Sequence, residues 1–313
     1  MKMTYEGVLP IDKPAGWTSH DVVAKMRGIL RERRIGHTGT LDPDVTGVLP
    51  LCVGRATRLV EYLQELPKEY EAELTIGYAT DTEDASGQVT DRVSEVSLDK
   101  EQVLQTIQQF IGIIEQTPPM YSAVKKDGKR LYELAREGIE VERESRKVTI
   151  HKIQLLDYRI EGEFPTVRFR VRCSKGTYIR TLCVDIGKAL GYPAVMSKLL
   201  RTETSGISLA GCYQIEEIAR LSAEGKLDQA FIPVDRAIGF MPAVTISDEQ
   251  AAKAANGVSV SVPKDASDEA LNASEVRVFD SQGFIGIFGI QRESQLLVPS
   301  KVFLPRTTIS SGR

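Results

Sequence analysis

The chain has 313 residues, 42% of them hydrophobic, and its 40 basic and 43 acidic side chains leave a net charge of −3. No window approaches the roughly 18 consecutive apolar residues of a membrane span, so a membrane-spanning helix is not expected and a cytoplasmic protein is. Four dispersed cysteines without a CxxC pair, and only three histidines, exclude a disulfide framework, a cysteine zinc site and a histidine-rich metal centre.

Net acidity taken alone argues against a nucleic-acid binder, whose footprint is basic. The charge is unevenly spread, however. Residues 59–124 carry 3 basic and 13 acidic side chains, whereas 120–180 carry 15 and 9, and 12–58 carry 8 and 5. A charge reaches only roughly 8 Å at physiological salt, so local basic surface decides phosphate binding. RNA contact is therefore allowed, on one face only.

In chain order, the apolar run Val8–Ile11 ends in a turn at Pro14-Ala15-Gly16. Thr18 or Ser19 caps a helix with its apolar stripe at Val22, Val23, Met26, Ile29 and Leu30. Gly36, Gly39, Pro43, Gly47 and Pro50 forbid a regular helix over 36–50, which reads as a shaped loop. Ala56, Leu59, Val60, Leu63 and Leu66 mark a second amphipathic helix. From Tyr70 the period drops to two, and Tyr70, Ala72, Leu74 and Ile76 line one face of a half-buried strand. Residues 167–173 alternate likewise, with Arg168, Arg170 and Arg172 on one face. After the turn Ser174-Lys175-Gly176, a helical stripe runs from Ile179 to Leu190 and Gly191 ends it. With no βαβ repeat, the fold class is α+β: a largely antiparallel mixed sheet flanked by helices.

The composition shifts near 235–245, dividing the chain into a catalytic domain, 1–240, and a small module, 241–313. In the module, Ser247 and Gln250 form a capping box for a short helix that stops at Asn256-Gly257. Strands over 276–279, 284–289 and 296–303 follow, which suggests a small β-barrel-like unit.

Asp42 is the first candidate for chemistry, because glycines on both sides leave a carboxylate open to a large ligand. An Asp-Pro that merely caps a turn is the plain alternative. Arg180 lies in the first turn of its helix, where the dipole disfavours a cation by ~0.3–1 kcal/mol. A carboxylate partner would offset that cost and would itself be favoured in the ionised form that a nucleophile requires. Tyr70 is either a core ring or a platform that stacks on a base, a contact worth ~1–3 kcal/mol. His37, between glycines, is not a core residue. Arg168, Arg170 and Arg172, with Lys125, Lys126, Lys129 and Arg130, either grip phosphates or are simply solvated.

Five ordered motifs carry a family resemblance. They are residues 9–19 (LPIDKPAGWTS), 36–54 around Asp42, Lys68-Glu69-Tyr70, 117–125 (TPPMYSAVK) and 175–182 (KGTYIRTL). In these the sequence resembles the TruB family of tRNA pseudouridine synthases over nearly its whole length, and the C-terminal segment resembles the PUA module of many bacterial members. The resemblance implies an isomerase of a T-loop uridine, position 55 of tRNA, that acts on a flipped-out nucleotide without cofactor or metal. It implies Asp42 as nucleophile, Arg180 paired with it, and Tyr70 stacked on the target base. It also implies substrate binding by His37, Leu199, Lys13 and Tyr178. Its partner is the T-arm of tRNA, with the acceptor stem a further contact of the module, and no protein partner is required. Two positions depart from the family pattern: Val45 where alanine is common, and Leu200 where arginine is common. Two other readings compete. Residues 42–46 fit the D-x-D-x-T pattern of magnesium-dependent phosphatases, but residues 37–41 do not supply the apolar strand that pattern needs. The other is a tRNA-binding chaperone whose folding activity is separable from catalysis.

Overall fold

The computed structural model describes residues 5–304, so the last nine positions of the C-terminal module lie outside the described residues. Seven strands make the spine of the main sheet: β1 (Gly7–Lys13), β2 (Thr46–Val53), β3 (Lys68–Ile76), β4 (Gly112–Gln116), β5 (Arg146–Arg159), β6 (Thr166–Cys173) and β7 (Ala194–Thr204). Their order in space is β1-β2-β7-β3-β6-β5-β4. Every neighbouring pair is antiparallel except β2 with β7, which pair in parallel through Leu200–Thr46 and Arg201–Gly47. The expected α+β fold with a largely antiparallel mixed sheet is therefore what forms.

The alternation in β3 has a direct consequence. Tyr70, Ala72, Leu74 and Ile76 turn into a cluster with Phe169 and Val171 of β6, closed by the helices Lys100–Gln108 and Ile179–Leu190. Glu69, Glu71 and Glu73 turn to the other face, opposite Arg172, Arg170 and Arg168 in register. Arg170 Nη2 lies 2.6 Å from Glu71 Oε1, Arg168 Nη2 3.3 Å from Glu71 Oε2, and Arg172 Nη1 3.2 Å from Glu203 Oε1. The bonds from Arg170 hold the Glu71 carboxyl below the usual range. The arginine row is thus engaged by carboxylates in a cross-strand ion ladder at half-exposed positions.

A second cluster joins β1 and β2 to the helices Ser19–Leu30 and Ile215–Ala223. Thr18 caps the first of these helices with a reciprocal bond to Asp21. The single amphipathic helix expected from Ala56 to Leu66 is instead a 3₁₀ segment, Gly54–Leu59, followed by one α turn, Val60–Leu63. Gly54 enters with φ +64°, and Thr57 Oγ1 donates to the Gly54 carbonyl, which takes up the first turn locally.

Beyond the helix Val234–Ala237 a second sheet of five strands forms, in the order Ala243–Thr245, Glu275–Asp280, Gly283–Gln291, Leu296–Val302, Val260–Ser261. The Ser247–Gln250 capping box is present. The first and last strands do not pair with each other among the described residues, so the expected barrel is an open half-barrel. Its own core holds Val276, Phe288 and Leu297. Ile287 and Phe303 instead join a cluster with Val8, Leu59 and Leu63 of the first domain. A sheet covered by a neighbouring domain has no need to close on itself. Polar contacts reinforce the seam: Arg58 donates to the Val302 carbonyl at 2.8 Å, Tyr62 to Glu275 at 3.2 Å, and Lys301 pairs with Glu61. No helix among the described residues is long and apolar enough to cross a membrane.

The shared cluster predicts that the two parts unfold together. Ile287→Ala removes a fully buried side chain and lowers stability by about 2–5 kcal/mol. Trp17, the chain's only tryptophan, reports on the first domain. Its fluorescence midpoint in urea should fall with that of far-UV circular dichroism; an unmoved Trp17 transition would mean that the parts unfold independently.

Candidate active site

Asp42 stands on the loop between the short strand Ile35–His37 and β2. Val45 N–H donates to the Asp42 carbonyl at 3.1 Å and closes a turn that lifts the side chain outward, 46% exposed. Leu41 and Val45 on either side point down into the core, 5% and 3% exposed. The loop is tied from below. Lys13 is 0% exposed, and its Nζ donates to the carbonyls of Trp17 at 2.6 Å, Pro43 at 2.8 Å and Pro14 at 3.0 Å. Ser19 Oγ accepts from Leu41 N–H at 2.9 Å. Arg201, 1% exposed, donates from Nε to the Val48 carbonyl at 2.7 Å and from Nη2 to the Gly39 carbonyl at 3.0 Å. Gly47, at φ +105°, passes so close to β7 that a Cβ would stand 2.2 Å from the Arg201 carbonyl oxygen, so only glycine fits.

Arg180 approaches Asp42 from the side, its Nη2 3.2 Å from Asp42 Oδ2. The guanidinium is nearly buried and is itself held by the carbonyls of Tyr121 at 2.7 Å and Thr82 at 2.9 Å, with Asp84 Oδ2 3.8 Å from Nη1. Behind it, Glu83 adopts φ +64° and accepts from Thr181 Oγ1 at 2.7 Å; burial pushes the Glu83 carboxyl above the usual range. Asp42 and Arg180 line an open cavity of about 1060 Å³, with Asp84, Tyr121, Lys125, Arg130, Tyr132 and Leu199 among its walls. A smaller recess of about 280 Å³ adjoins it, bounded by Tyr70, Tyr178, Leu199 and Arg201.

The arrangement offers an exposed carboxylate, Asp42, beside a buried cation, with an aromatic wall and a basic rim, in an open cavity that Asp44 and Asp84 also line. Comparison with known proteins supplies the chemistry. Residues 27–179 match the family model described as TruB family pseudouridylate synthase, N-terminal domain, and residues 180–239 match the tRNA pseudouridylate synthase B C-terminal domain. A tRNA pseudouridine synthase B of Bacillus licheniformis is 46% identical over 97% of this chain and 99% of its own. One from Geobacillus thermodenitrificans is 51% identical over 82% of this chain and 86% of its own. The chain belongs to the TruB family. Its fold agrees: a chain from a Cbf5–Nop10–Gar1 complex, 29% identical, matches 96% of this chain and 85% of that one with a TM-score of 0.72. This TruB-family chain is accordingly a pseudouridine synthase, an isomerase.

In this synthase Asp42, Arg180, Tyr70, Leu199 and Tyr178 converge on the smaller recess, and His37 lines the wider cavity. The His37 ring meets His20 edge-on at 5.6 Å, its Nδ1 is buried without a partner, and burial lowers its pKa, so the neutral ring is favoured. Lys13 differs from the expectation of substrate contact. It lies under the loop with its ammonium on three carbonyls, and burial pushes its pKa down to about 8. At position 200 the leucine side chain packs against Gly47, while the next residue, Arg201, takes the buried polar position. Val45 is absorbed in the core beside Leu41. Sequence reasoning missed Arg201, Asp84, His20 and Arg146, whose guanidinium sits 4.8 Å over the Tyr178 ring and donates to the Gly176 carbonyl. Of these only His20 adjoins a recognised motif; Arg201, Asp84 and Arg146 reach the site through pairing and packing between distant segments.

Lys13→Met keeps the apolar stem but strips the donor that ties the Pro43 carbonyl, next to Asp42, to the Pro14 and Trp17 carbonyls of the turn after β1. Pseudouridine formation by this variant should fall roughly 100-fold in kcat, the usual cost of displacing a reactive group by about 1 Å. RNA affinity should change little, because Lys13 faces no solvent. Single-turnover rates and filter binding separate the two effects; weakened binding with unchanged kcat would place Lys13 on the substrate instead.

Proposed function

We propose that this enzyme isomerises one uridine in the T-loop of tRNA to pseudouridine, with Asp42 as nucleophile on a flipped-out nucleotide. The observation that carries the reading is the Asp42–Arg180 pair in the open cavity, a 46% exposed carboxylate 3.2 Å from a nearly buried guanidinium. The relatives' names supply the tRNA substrate.

Isomerisation breaks the N1–C1′ bond, turns the base and makes a C5–C1′ bond. C5 loses a proton and N1 gains one, so nothing is oxidised, reduced or transferred to a second molecule, and no cofactor enters the balance. A stacked T-loop hides the reacting atoms, and extrusion into the recess brings C1′ or C6 to Asp42. Arg180 holds Asp42 Oδ2, so the attacking oxygen has one direction. The Tyr70 ring stacks on the base, and its hydroxyl is the proton-transfer group. Leu199 and Tyr178 wall the recess against the substrate, and His37 contacts the T-loop near the flipped nucleotide. Lys125 and Arg130 on the cavity rim take phosphates of the T-arm. The C-terminal half-barrel adds contacts to the acceptor stem, which makes tRNA the whole substrate. No further protein partner is needed, and the reaction belongs in the cytoplasm.

Asp42→Asn keeps the shape and removes the nucleophile. It should lose essentially all pseudouridine formation, read by mass analysis of tRNA after incubation with pure protein and no additives, yet still bind tRNA. Ordinary turnover by Asp42→Asn would take Asp42 out of the mechanism. Tyr70→Phe should bind tRNA normally and react slowly, whereas Tyr70→Leu should lose binding as well. Equal activity in all three proteins would return Tyr70 to a purely structural place.

A further inference from the structure

Arg201 has donors left over after tying down the catalytic loop. A guanidinium carries five N–H groups, and the Val48 and Gly39 carbonyls take one each. Neither partner is an acid, so this buried cation is not neutralised by the contacts that orient it. The charge of Arg201 also acts on the Tyr70 hydroxyl. Tyr70 and Arg201 sit on adjacent strands, directly paired in the register of β3 and β7, and both border the recess that holds Asp42. The charged and titratable groups around the hydroxyl come from every side. Arg201 lies on β7, Cys173 at the end of β6 and Asp42 on the loop. Lys68 stands two residues earlier on β3 and feels Arg201. Arg146 and Arg180 border the same recess. Burial, Cys173 and Asp42 disfavour an anionic Tyr70, and Arg201 opposes them.

The reaction has a use for that opposition. Once the C5–C1′ bond has formed, C5 still holds its hydrogen. A base takes that proton, the C–H electron pair restores the C5–C6 double bond, the N1–C6 π pair moves onto N1, and N1 takes up a proton. We propose that Arg201 is a positioning residue for Tyr70: its buried positive charge, paired with Tyr70 across β3 and β7 at the border of the same recess, stabilises the anionic hydroxyl, so that Tyr70 accepts the C5 proton. This rests on the assignment of proton transfer to Tyr70 above.

The test is the pH dependence of single-turnover pseudouridine formation on tRNA by wild type, Tyr70→Phe, Arg201→Gln and Arg201→Lys, with thermal unfolding and tRNA binding measured on each. Wild type should show an alkaline rise that Tyr70→Phe lacks. In Arg201→Gln the rise should move to higher pH by about one pH unit or more, the usual effect of losing an adjacent opposite charge. Arg201→Lys keeps the charge, and the rise should move up by less. A rate that falls by the same factor at every pH, with the rise unmoved, would make Arg201 purely structural and overturn the proposal. Where Arg201→Gln has no unfolding transition, Arg201→Lys decides: an unmoved rise there overturns the proposal equally. Identical profiles for wild type and Tyr70→Phe would overturn both the Tyr70 assignment and this one. A rise lost in Tyr70→Phe but unmoved in the Arg201 variants overturns this one alone.

Discussion

A carboxylate on a glycine-rich loop acts from one place only if the loop's backbone finds donors that its own conformation does not provide. Here the donors are three buried or nearly buried cations, Lys13, Arg180 and Arg201, which together engage seven backbone carbonyls on or around the loop. Left unmet, buried carbonyls cost ~1–3 kcal/mol each, a sum comparable with the whole stability of a domain, ~5–15 kcal/mol. Burying the cations also costs several kcal/mol per ion. The two sides nearly cancel, so the network adds little net stability. What it adds is position: every alternative loop conformation forfeits the donors while the cations stay buried.

The sheet divides charge between its faces by the same physics. On the outer face, alternation along β3 and β6 sets glutamates opposite arginines, and the ladder neutralises itself at half-exposed positions. Such pairs are screened and contribute little individually. On the inner face the buried cations Lys13, Arg180 and Arg201 stand mainly on backbone carbonyls, with Asp42 and Asp84 beside Arg180. A negatively charged ligand is therefore directed to the cavity and not to the back of the sheet, although the chain as a whole is slightly acidic. Net charge conceals this because it sums over both faces.

Much of this was legible in the residues themselves. Period-two alternation placed Tyr70 and the β6 arginines on the right faces. The first-turn position of Arg180 demanded a carboxylate, and Asp42 meets it at 3.2 Å. The Ser247–Gln250 capping box located one helix start, and of the two candidates Thr18 and Ser19 it is Thr18 that caps another. The failures share a cause. That Arg170 faces Glu71 depends on strand pairing between segments a hundred residues apart, which no local pattern records. That Lys13 is buried depends on Pro43 and Trp17 offering it carbonyls. Charged residues read as exposed by default, so a buried lysine or arginine is the kind of residue that periodicity misplaces. The open half-barrel escaped for a related reason: its covering surface, Leu59 and Leu63, comes from the first domain.

That covering also bears on how the second sheet relates to the cavity. The segment Gly54–Leu63 follows β2 directly, and β2 begins at the end of the catalytic loop. Its inner side supplies Leu59 and Leu63 to the shared cluster, and its outer side supplies Arg58, Glu61 and Tyr62 to the polar seam. The half-barrel therefore rests on the element that continues from the loop carrying Asp42. A ligand spanning both parts would press on that element, whereas one confined to the cavity would not touch it. The seam mixes apolar burial with exposed ion pairs, and apolar burial is the part that salt does not screen. The two parts are thus held in register under conditions that weaken phosphate contacts, and a long substrate meets a fixed distance between its two points of contact.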